Sequence, residues 1–378
     1  MTRFKLQSLL LIVLLGIGAV SMQTMQSTFA SSVQKVKVGP ISSNLAPGSN
    51  PSALPGPILI ADKRNNRLLI VSPKGKITWE FPQPGNLKPG QSFLGPDDAF
   101  FTPNGKDIIT NQESNQTISL ISIAQHKIIW TYGHPGVPGN TPNYLNTPDD
   151  AMVLPKSHIV ISPDIVNCSI LLIPPGAHHP LHRYGANTTN CLHNPPYRFG
   201  SPNGAFPMTN GKYLVTEING DWVDEMSLSG KIGFMVHPPG VAYPSDTNEI
   251  NPNRFITVDY SNPGQIVEFN RQGKLLWRFA PTGPNAMNQP SLAEPLPNGD
   301  IISTDDHNNR IIVVNPKTNQ IVWQYGHTGV PGAAPGYLRI PDGLDLAPPY
   351  SYLIRNKSTM GQPPKTFPPL SSIAKPQG

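Results

Sequence analysis

Between positions 57 and 346 the apolar residues fall in short bursts separated by polar turns. Runs such as Asp107-Ile108-Ile109-Thr110, Lys212-Tyr213-Leu214-Val215-Thr216 and Arg254-Phe255-Ile256-Thr257-Val258 are brief and rich in β-branched side chains. Turn signals sit beside them, among them Pro103-Asn104-Gly105, Thr209-Asn210-Gly211 and Pro297-Asn298-Gly299. Runs this short, with such flanks, predict strands and not helices. A further run follows each after a polar turn, as in Leu68-Leu69-Ile70-Val71 and Gln265-Ile266-Val267-Glu268-Phe269. Another turn then leads to a run carrying an aromatic pair: Lys76-Ile77-Thr78-Trp79-Glu80-Phe81, or Gln320-Ile321-Val322-Trp323-Gln324-Tyr325.

The pattern repeats. Its aromatic landmark stands at Trp79, Trp130, Trp277 and Trp323, with degenerate copies at His182 and Phe234. A second landmark, Pro followed by a small polar residue, stands at Pro96-Asp97, Pro148-Asp149, Pro202-Asn203, Pro244-Ser245, Pro290-Ser291 and Pro341-Asp342. Both return about every 50 residues and keep step with each other, which marks an internal repeat. Four short strands per repeat is the content of a β-propeller blade. The first repeat starts at Ile58 with three strands, and the last Pro-polar unit, Pro341-Asp342-Gly343-Leu344-Asp345-Leu346, starts a blade and stops. Pairing these fragments removes two free sheet edges. The expected fold is therefore all-β: a six-bladed β-propeller spanning 57–346, closed by strand exchange between the two ends of the chain.

Composition agrees. Pro supplies 45 of 378 residues and only 13% are charged. That much Pro excludes a coiled coil or helical solenoid, since each interior Pro costs a helix about 3 kcal/mol. The net charge of +5 is small, and no cluster of Lys and Arg alternates with aromatics, so no nucleic-acid partner is expected.

The unit Ile60-Ala61-Asp62-Lys63-Arg64-Asn65-Asn66-Arg67-Leu68-Leu69-Ile70-Val71 and its echo from Ser303 to Val314 resemble NHL-type repeats. The Trp-bearing fourth strands are similar to those of PQQ-like, quinoprotein-type propellers. The resemblance implies the fold and leaves the function open, because propellers of this kind include enzymes, sensors and plain binding modules.

Outside the repeats, residues 1–30 read as a secretory signal peptide: Arg3 and Lys5 precede an apolar run from Leu9 to Val20, and Thr28-Phe29-Ala30 closes it. The run is short for a membrane span, which needs about 20 residues; an uncleaved anchor is the alternative. The expected location is secreted or extracytoplasmic, with no stable span once the leader is removed. Residues 31–56 read as a Pro/Ser/Gly-rich linker, and 347–378 as a Pro-rich tail that is extended or loosely packed. In an exported protein the two cysteines, Cys168 and Cys191, are expected to form a disulfide.

An up-and-down blade brings three kinds of position to one face: starts of first strands, ends of second strands, and loops after fourth strands. First-strand starts supply Asp97, Asp98, Asp149, Asp150, Asn203, Asp246 and Asp342. Of these, Asp98, Asp150 and Asp246 are the foremost candidates for ligand or metal contact, since Gly204, Leu292 and Gly343 fill the same slot in the other blades. A ring of carboxylates suits a hard cation such as Ca²⁺. Second-strand ends supply Asp62, Asn111, Glu217, Asp259 and Asp305, read mainly as turn-holding residues. The loops supply His134, His193, His237 and His327. His134 and His327 lie in nearly identical stretches, Gly133-His134-Pro135-Gly136-Val137-Pro138-Gly139 and Gly326-His327-Thr328-Gly329-Val330-Pro331-Gly332, and join the candidate ligand residues. His178, His179 and His182 form a weaker metal-like group in an irregular blade.

The function expected first is binding of a small molecule or a protein through the axial face. A metal-dependent hydrolase or lyase with Asp ligands and a His base is the alternative, and a quinoprotein-type oxidoreductase a weaker one.

Overall fold

The computed structural model describes residues 44–356. The leader, the first part of the linker and the tail beyond Asn356 lie outside the described residues. Six four-stranded antiparallel sheets form a ring, a six-bladed β-propeller. From the axis outward, blade 1 comprises Pro341–Leu346, Ile58–Asp62, Arg67–Val71 and Ile77–Phe81; blade 2, Pro96–Phe101, Asp107–Gln112, Thr117–Ser122 and Lys127–Gly133; blade 3, Met152–Val153, Val160–Asp164, Ser169–Ile173 and His182–Tyr184. Blade 4 comprises Pro202–Pro207, Lys212–Glu217, Trp222–Ser227 and Ile232–Val236; blade 5, Pro244–Asn251, Arg254–Asp259, Gln265–Phe269 and Leu275–Phe279; blade 6, Ala293–Pro295, Ile301–Asp305, Arg310–Asn315 and Gln320–Gly326. No helix among the described residues is long and apolar enough to cross a membrane.

The innermost strand of blade 1 comes from the far end of the chain: Ile58 pairs with Leu346, and Ile60 with Leu344. Burial falls off outward for a geometric reason. Inner strands are sandwiched by neighbouring blades on both faces, so Pro96–Phe101 and Pro202–Pro207 are buried along their whole length. Outer strands such as Ile77–Phe81 and Leu275–Phe279 are covered on one side and leave residues exposed.

The outer-strand tryptophans tie blades together. The indole N–H of Trp79 donates to the Ile123 carbonyl of blade 2 at 3.2 Å, that of Trp277 to Asn319 Oδ1 of blade 6 at 2.8 Å, and that of Trp323 to the Pro73 carbonyl of blade 1 at 2.8 Å. Trp323, wholly buried, seals the seam where the ring closes.

Of the segments read as linker and tail, the described residues 44–56 and 347–356 pack against the ring. Leu45, Ala53 and Leu54 are buried, and the Asn50 N–H donates to the Val322 carbonyl of the outer strand of blade 6. Apolar side chains spaced along an otherwise polar segment give it something to bury. At the other end, the short helix Tyr352–Asn356 begins under the ring. Tyr352 and Leu353 are buried, and the Tyr352 hydroxyl donates to the Pro207 carbonyl of blade 4 at 2.7 Å. Pro207 lies across the ring from the blade 1 strand that leads into this segment, so the chain crosses the axis here and closes that end.

Candidate functional site

The last residue of each second strand organises the loop that enters its own blade. Asp62 Oδ1 accepts the Arg339 N–H, Gln112 Oε1 that of Leu94, Asp164 Oδ1 that of Asn146, Asp259 Oδ1 that of Tyr243 and Asp305 Oδ1 that of Asn288, at 2.7–3.1 Å. Glu217 Oε2 takes the Gly200 N–H. In blade 2 this residue is Gln112 and not Asn111. A shift of one residue turns a strand side chain to the other face, and Asn111 instead points toward the axis, where its Oδ1 accepts the Asp98 N–H and its Nδ2 donates to the Pro148 carbonyl.

Loops fixed in this way deliver a proline and then a polar side chain to the axis. Asp342, Asp97, Asp149, Asn203, Ser245 and Ser291, one from each blade in order, line a cavity of about 230 Å³. A second tier comes from the residue after each loop-organising position: Lys63, Glu113, Ile165, Ile218 and Tyr260 line the same cavity, and Tyr243 joins them. The cup is lopsided. Blades 1 to 3 supply Asp342, Asp97 and Asp149, whereas blades 4 to 6 supply neutral Asn203, Ser245 and Ser291.

Asp98, Asp150 and Asp246 stand one residue further along the chain and are buried. Glycines make room for them. A Cβ at Gly204 would lie 3.2 Å from Asp246 Oδ1 and 3.3 Å from Asp150 Oδ2, and one at Gly343 would lie 2.6 Å from Asp98 Oδ1. Asp98, Asp149 and Asp150 each bring an oxygen to within 4.8 Å of the others, and so do Asp97, Asp98 and Asp342. Asp98 Oδ1, Asn203 Oδ1 and both Asp150 oxygens are buried without a hydrogen-bond partner; only a shared proton could join Asp150 to the adjacent Asp246.

One cation faces this acidity. The Lys63 ammonium contacts Asp97 and lies 2.8 Å from Glu113 Oε2 and 3.0 Å from Asp342 Oδ2. Burial alone would lower its pKa, but Asp342, Asp97 and Glu113 together raise it well above the usual value, so Lys63 stays charged. The carboxyls shift upward. Burial first, then Asp342 for Asp97, Asp246 for Asp98, and Asp246 for Asp150, lift each well above the ordinary range. Asp246 is pushed up to about 7, mainly by burial. A set of buried oxygens that resist ionising in each other's company can accept a cation, which supplies the missing charge and engages the unused lone pairs.

The structure thus brings Asp98, Asp150 and Asp246 together, but not with His134 or His327. Neither histidine lines the axial cavity. His134 stacks on Tyr144 at 4.0 Å and His327 lies against Tyr337 at 4.2 Å, each within its own crossover loop. Gly139 and Gly332 let these loops fold tightly, since a Cβ there would come within 3 Å of the same tyrosine rings. In blade 3, His182 packs edge-on to Tyr184, and the histidines of that stretch form no metal-like group among the described residues. Cys168 and Cys191 are bonded and join the turn before a blade 3 strand to the long loop leading to blade 4.

No known protein-family model matches the chain, and no curated protein matches it. Solved structures do. A protein of unknown function from Bacteroides caccae is similar with a TM-score of 0.52 and 14% identity, over 77% of this chain and 98% of that one. A streptogramin B lyase is similar with a TM-score of 0.45 and 20% identity, over 63% and 69% of the two chains. The WD40 β-propeller domain of Doa1 is similar with a TM-score of 0.46 and 11% identity, over 71% and 78%. At these identities the likeness is one of fold.

Proposed function

We propose that this protein is an exported binding module whose axial cup takes a cationic ligand, in the first instance a hard divalent ion of the Ca²⁺ class. Asp98, Asp150 and Asp246 hold it, with Asp97, Asp149 and Asp342 above them. The observation that carries this reading is the convergence of three buried carboxylates opposite glycines, among which Asp98 Oδ1 and both Asp150 oxygens are reached by no donor. Ca²⁺ prefers six to eight oxygen ligands and little else, and the cup is built of oxygens. The neutral, tyrosine-bearing side of the cup then remains for an organic ligand that bridges to the ion. Export fits the leader-like N-terminus and the disulfide, and the repeat pattern keeps its likeness to NHL-type and PQQ-like propellers.

The hydrolase or lyase reading uses the same carboxylates with a histidine as the base, and no histidine is among the residues lining the cup. Tyr243 cannot substitute, because burial holds its phenol at about 12. A quinoprotein reading fits less well still, since an anionic quinone would meet one lysine and a surplus of carboxylates.

The test is thermal unfolding of chelator-treated protein with and without Ca²⁺. Saturation at a hundredfold excess over Kd adds about 2.7 kcal/mol, which for a chain of this size raises Tm by on the order of 5 °C. The Asp150→Asn, Asp246→Asn double variant is expected to fold and lose the response. A wild type that shows neither a shift nor calorimetric binding of Ca²⁺ or Mg²⁺ would refute the proposal.

A further inference from the structure

Blade 4 carries a second cluster that the axial cup does not use. In the other blades the loop-organising residue also meets a donor side chain of its own sheet or turn. Asp62 accepts from Arg67 Nε at 2.7 Å, Asp164 from Asn167 at 2.7 Å, Asp259 from Gln265 at 3.0 Å and Asp305 from Arg310 Nε at 2.7 Å, while Gln112 Oε1 accepts from Asn115 Nδ2 at 3.2 Å. Blade 4 breaks this rule. Glu217 pairs in register with Trp222, where Asp62 pairs with Arg67 and Asp305 with Arg310. Two residues along the same strand, and so on the same face, blade 4 has Asp224 where blades 1 and 6 have Leu69 and Ile312. The donor is gone and a second acid has come in.

Both acids are wholly buried, and no donor reaches either Asp224 oxygen or Glu217 Oε1; only a shared proton could join the two acids. The third group is His193, from the loop after blade 3. Its Nδ1 lies 3.2 Å from Glu217 Oε2 and 3.7 Å from Asp224 Oδ2. The ring is held in place by Trp222, stacked on it at 4.3 Å with planes 14° apart, and Trp222 is backed by His237 at 3.7 Å. The Gly200 N–H fixes Glu217 Oε2. His193 also forms part of the wall of a surface cavity of about 560 Å³.

The geometry has a natural occupant. Ligands at zinc-type bond lengths of about 2.0–2.1 Å around a tetrahedral ion stand about 3.4 Å apart, and the two distances from His193 bracket that value. One imidazole nitrogen with two carboxylate oxygens is a donor set for zinc and its neighbours, not for Ca²⁺. Three protein ligands leave one position for water. We propose that His193, Glu217 and Asp224 form a binding site for a divalent transition-metal ion of the Zn²⁺ class, separate from the axial cup.

Trp222 makes the site readable. Full-length protein stripped with chelator is titrated with Zn²⁺ in a calorimeter, and with Co²⁺ while visible absorption and tryptophan fluorescence are followed. One equivalent of Co²⁺ is expected to produce a tetrahedral-type visible spectrum and to quench Trp222. Asp224→Asn and His193→Gln should each weaken Zn²⁺ at least tenfold, whereas the Asp150→Asn, Asp246→Asn variant of the axial cup should bind it as the wild type does. His193 is partly exposed, so His193→Gln keeps the test decisive if Asp224→Asn does not fold. A folded wild type that binds neither ion, a His193→Gln protein that binds Zn²⁺ undiminished, or loss of Zn²⁺ binding only in the axial variant would each overturn the proposal.

Discussion

At the scale of single residues, the axial cup gathers acids faster than donors: Lys63 serves Asp97, Glu113 and Asp342, while Asp98 Oδ1 and both Asp150 oxygens meet none. Asp246 has a folded-state pKa of about 7 against an ordinary 3.8, with burial the main cause. An acid whose pKa is raised holds its proton more tightly when folded. The stability it contributes is present below the unfolded value and lost as pH rises through the folded one. Asp97, Asp98, Asp149 and Asp150 are raised for the same reason and act in the same direction. Cation-free protein is therefore expected to have a higher Tm near about pH 5 than near about pH 7.5, and added Ca²⁺ to narrow the gap by acting mainly at the higher pH. Calorimetric scans with chelator and with Ca²⁺ check this; a Tm that rises with pH in chelator would contradict it. Asp98, Asp150 and Asp246 were legible in the sequence because carboxylates stand out against glycines and a leucine in the same slot. Lys63, Glu113 and Tyr260 were not, because each sits inside what looks like an ordinary turn. Aligning that slot across all six repeats, as Lys63, Glu113, Ile165, Ile218, Tyr260 and Asp306, would have exposed its unusual variety.

At the scale of strands and turns, the repeat depends on one residue per blade that grips the incoming loop. The tightest version is Asp305 with Arg310, whose guanidinium is buried and also reaches Gln324, Thr328 and the Asn285 carbonyl. Removing one member of a buried pair leaves the other uncompensated, at a cost of about 3–5 kcal/mol. Asp305→Ala is expected to lower denaturant-unfolding stability by that amount, and a loss under about 1 kcal/mol would show the pair to be dispensable. The strand content was readable because β-branched runs and Gly/Asn turns agree at every repeat. Register was harder. Asn111 and Gln112 are neighbours of similar chemistry, and only the pairing Gln112↔Thr117 decides which faces the loop. Blade 3, with its two-residue inner strand Met152–Val153, offered too little pattern for Asp164 to be recognised.

At the scale of the whole molecule, closure and capping are joined. The chain completes blade 1 with Pro341–Leu346 and then passes under the ring, where Asp345 Oδ2 accepts the Phe101 N–H and the Ser351 hydroxyl. Tyr352 reaches Pro207 on the far side. The axial cavity is thus a cup with a floor. Truncation after Leu346 is expected to keep six blades but to expose Phe100 and Phe206, lowering Tm and admitting a hydrophobic dye; a truncated protein as stable as the full chain would show the floor to be ornamental. The sequence announced the closing strand by its unfinished last repeat, but not the floor, since a Pro-rich stretch gives no periodicity by which to place Ser351, Tyr352 and Leu353.

The exchange of strands also sets a clock. Ile58 is made well before Leu344, so at ordinary synthesis rates the first sheet waits on the order of tens of seconds for its innermost member. Until then blade 1 offers a bare edge at Ile58–Asp62. Whatever escorts the nascent polypeptide must keep that edge from pairing elsewhere, and the ring can shut only when Pro341–Leu346 has emerged.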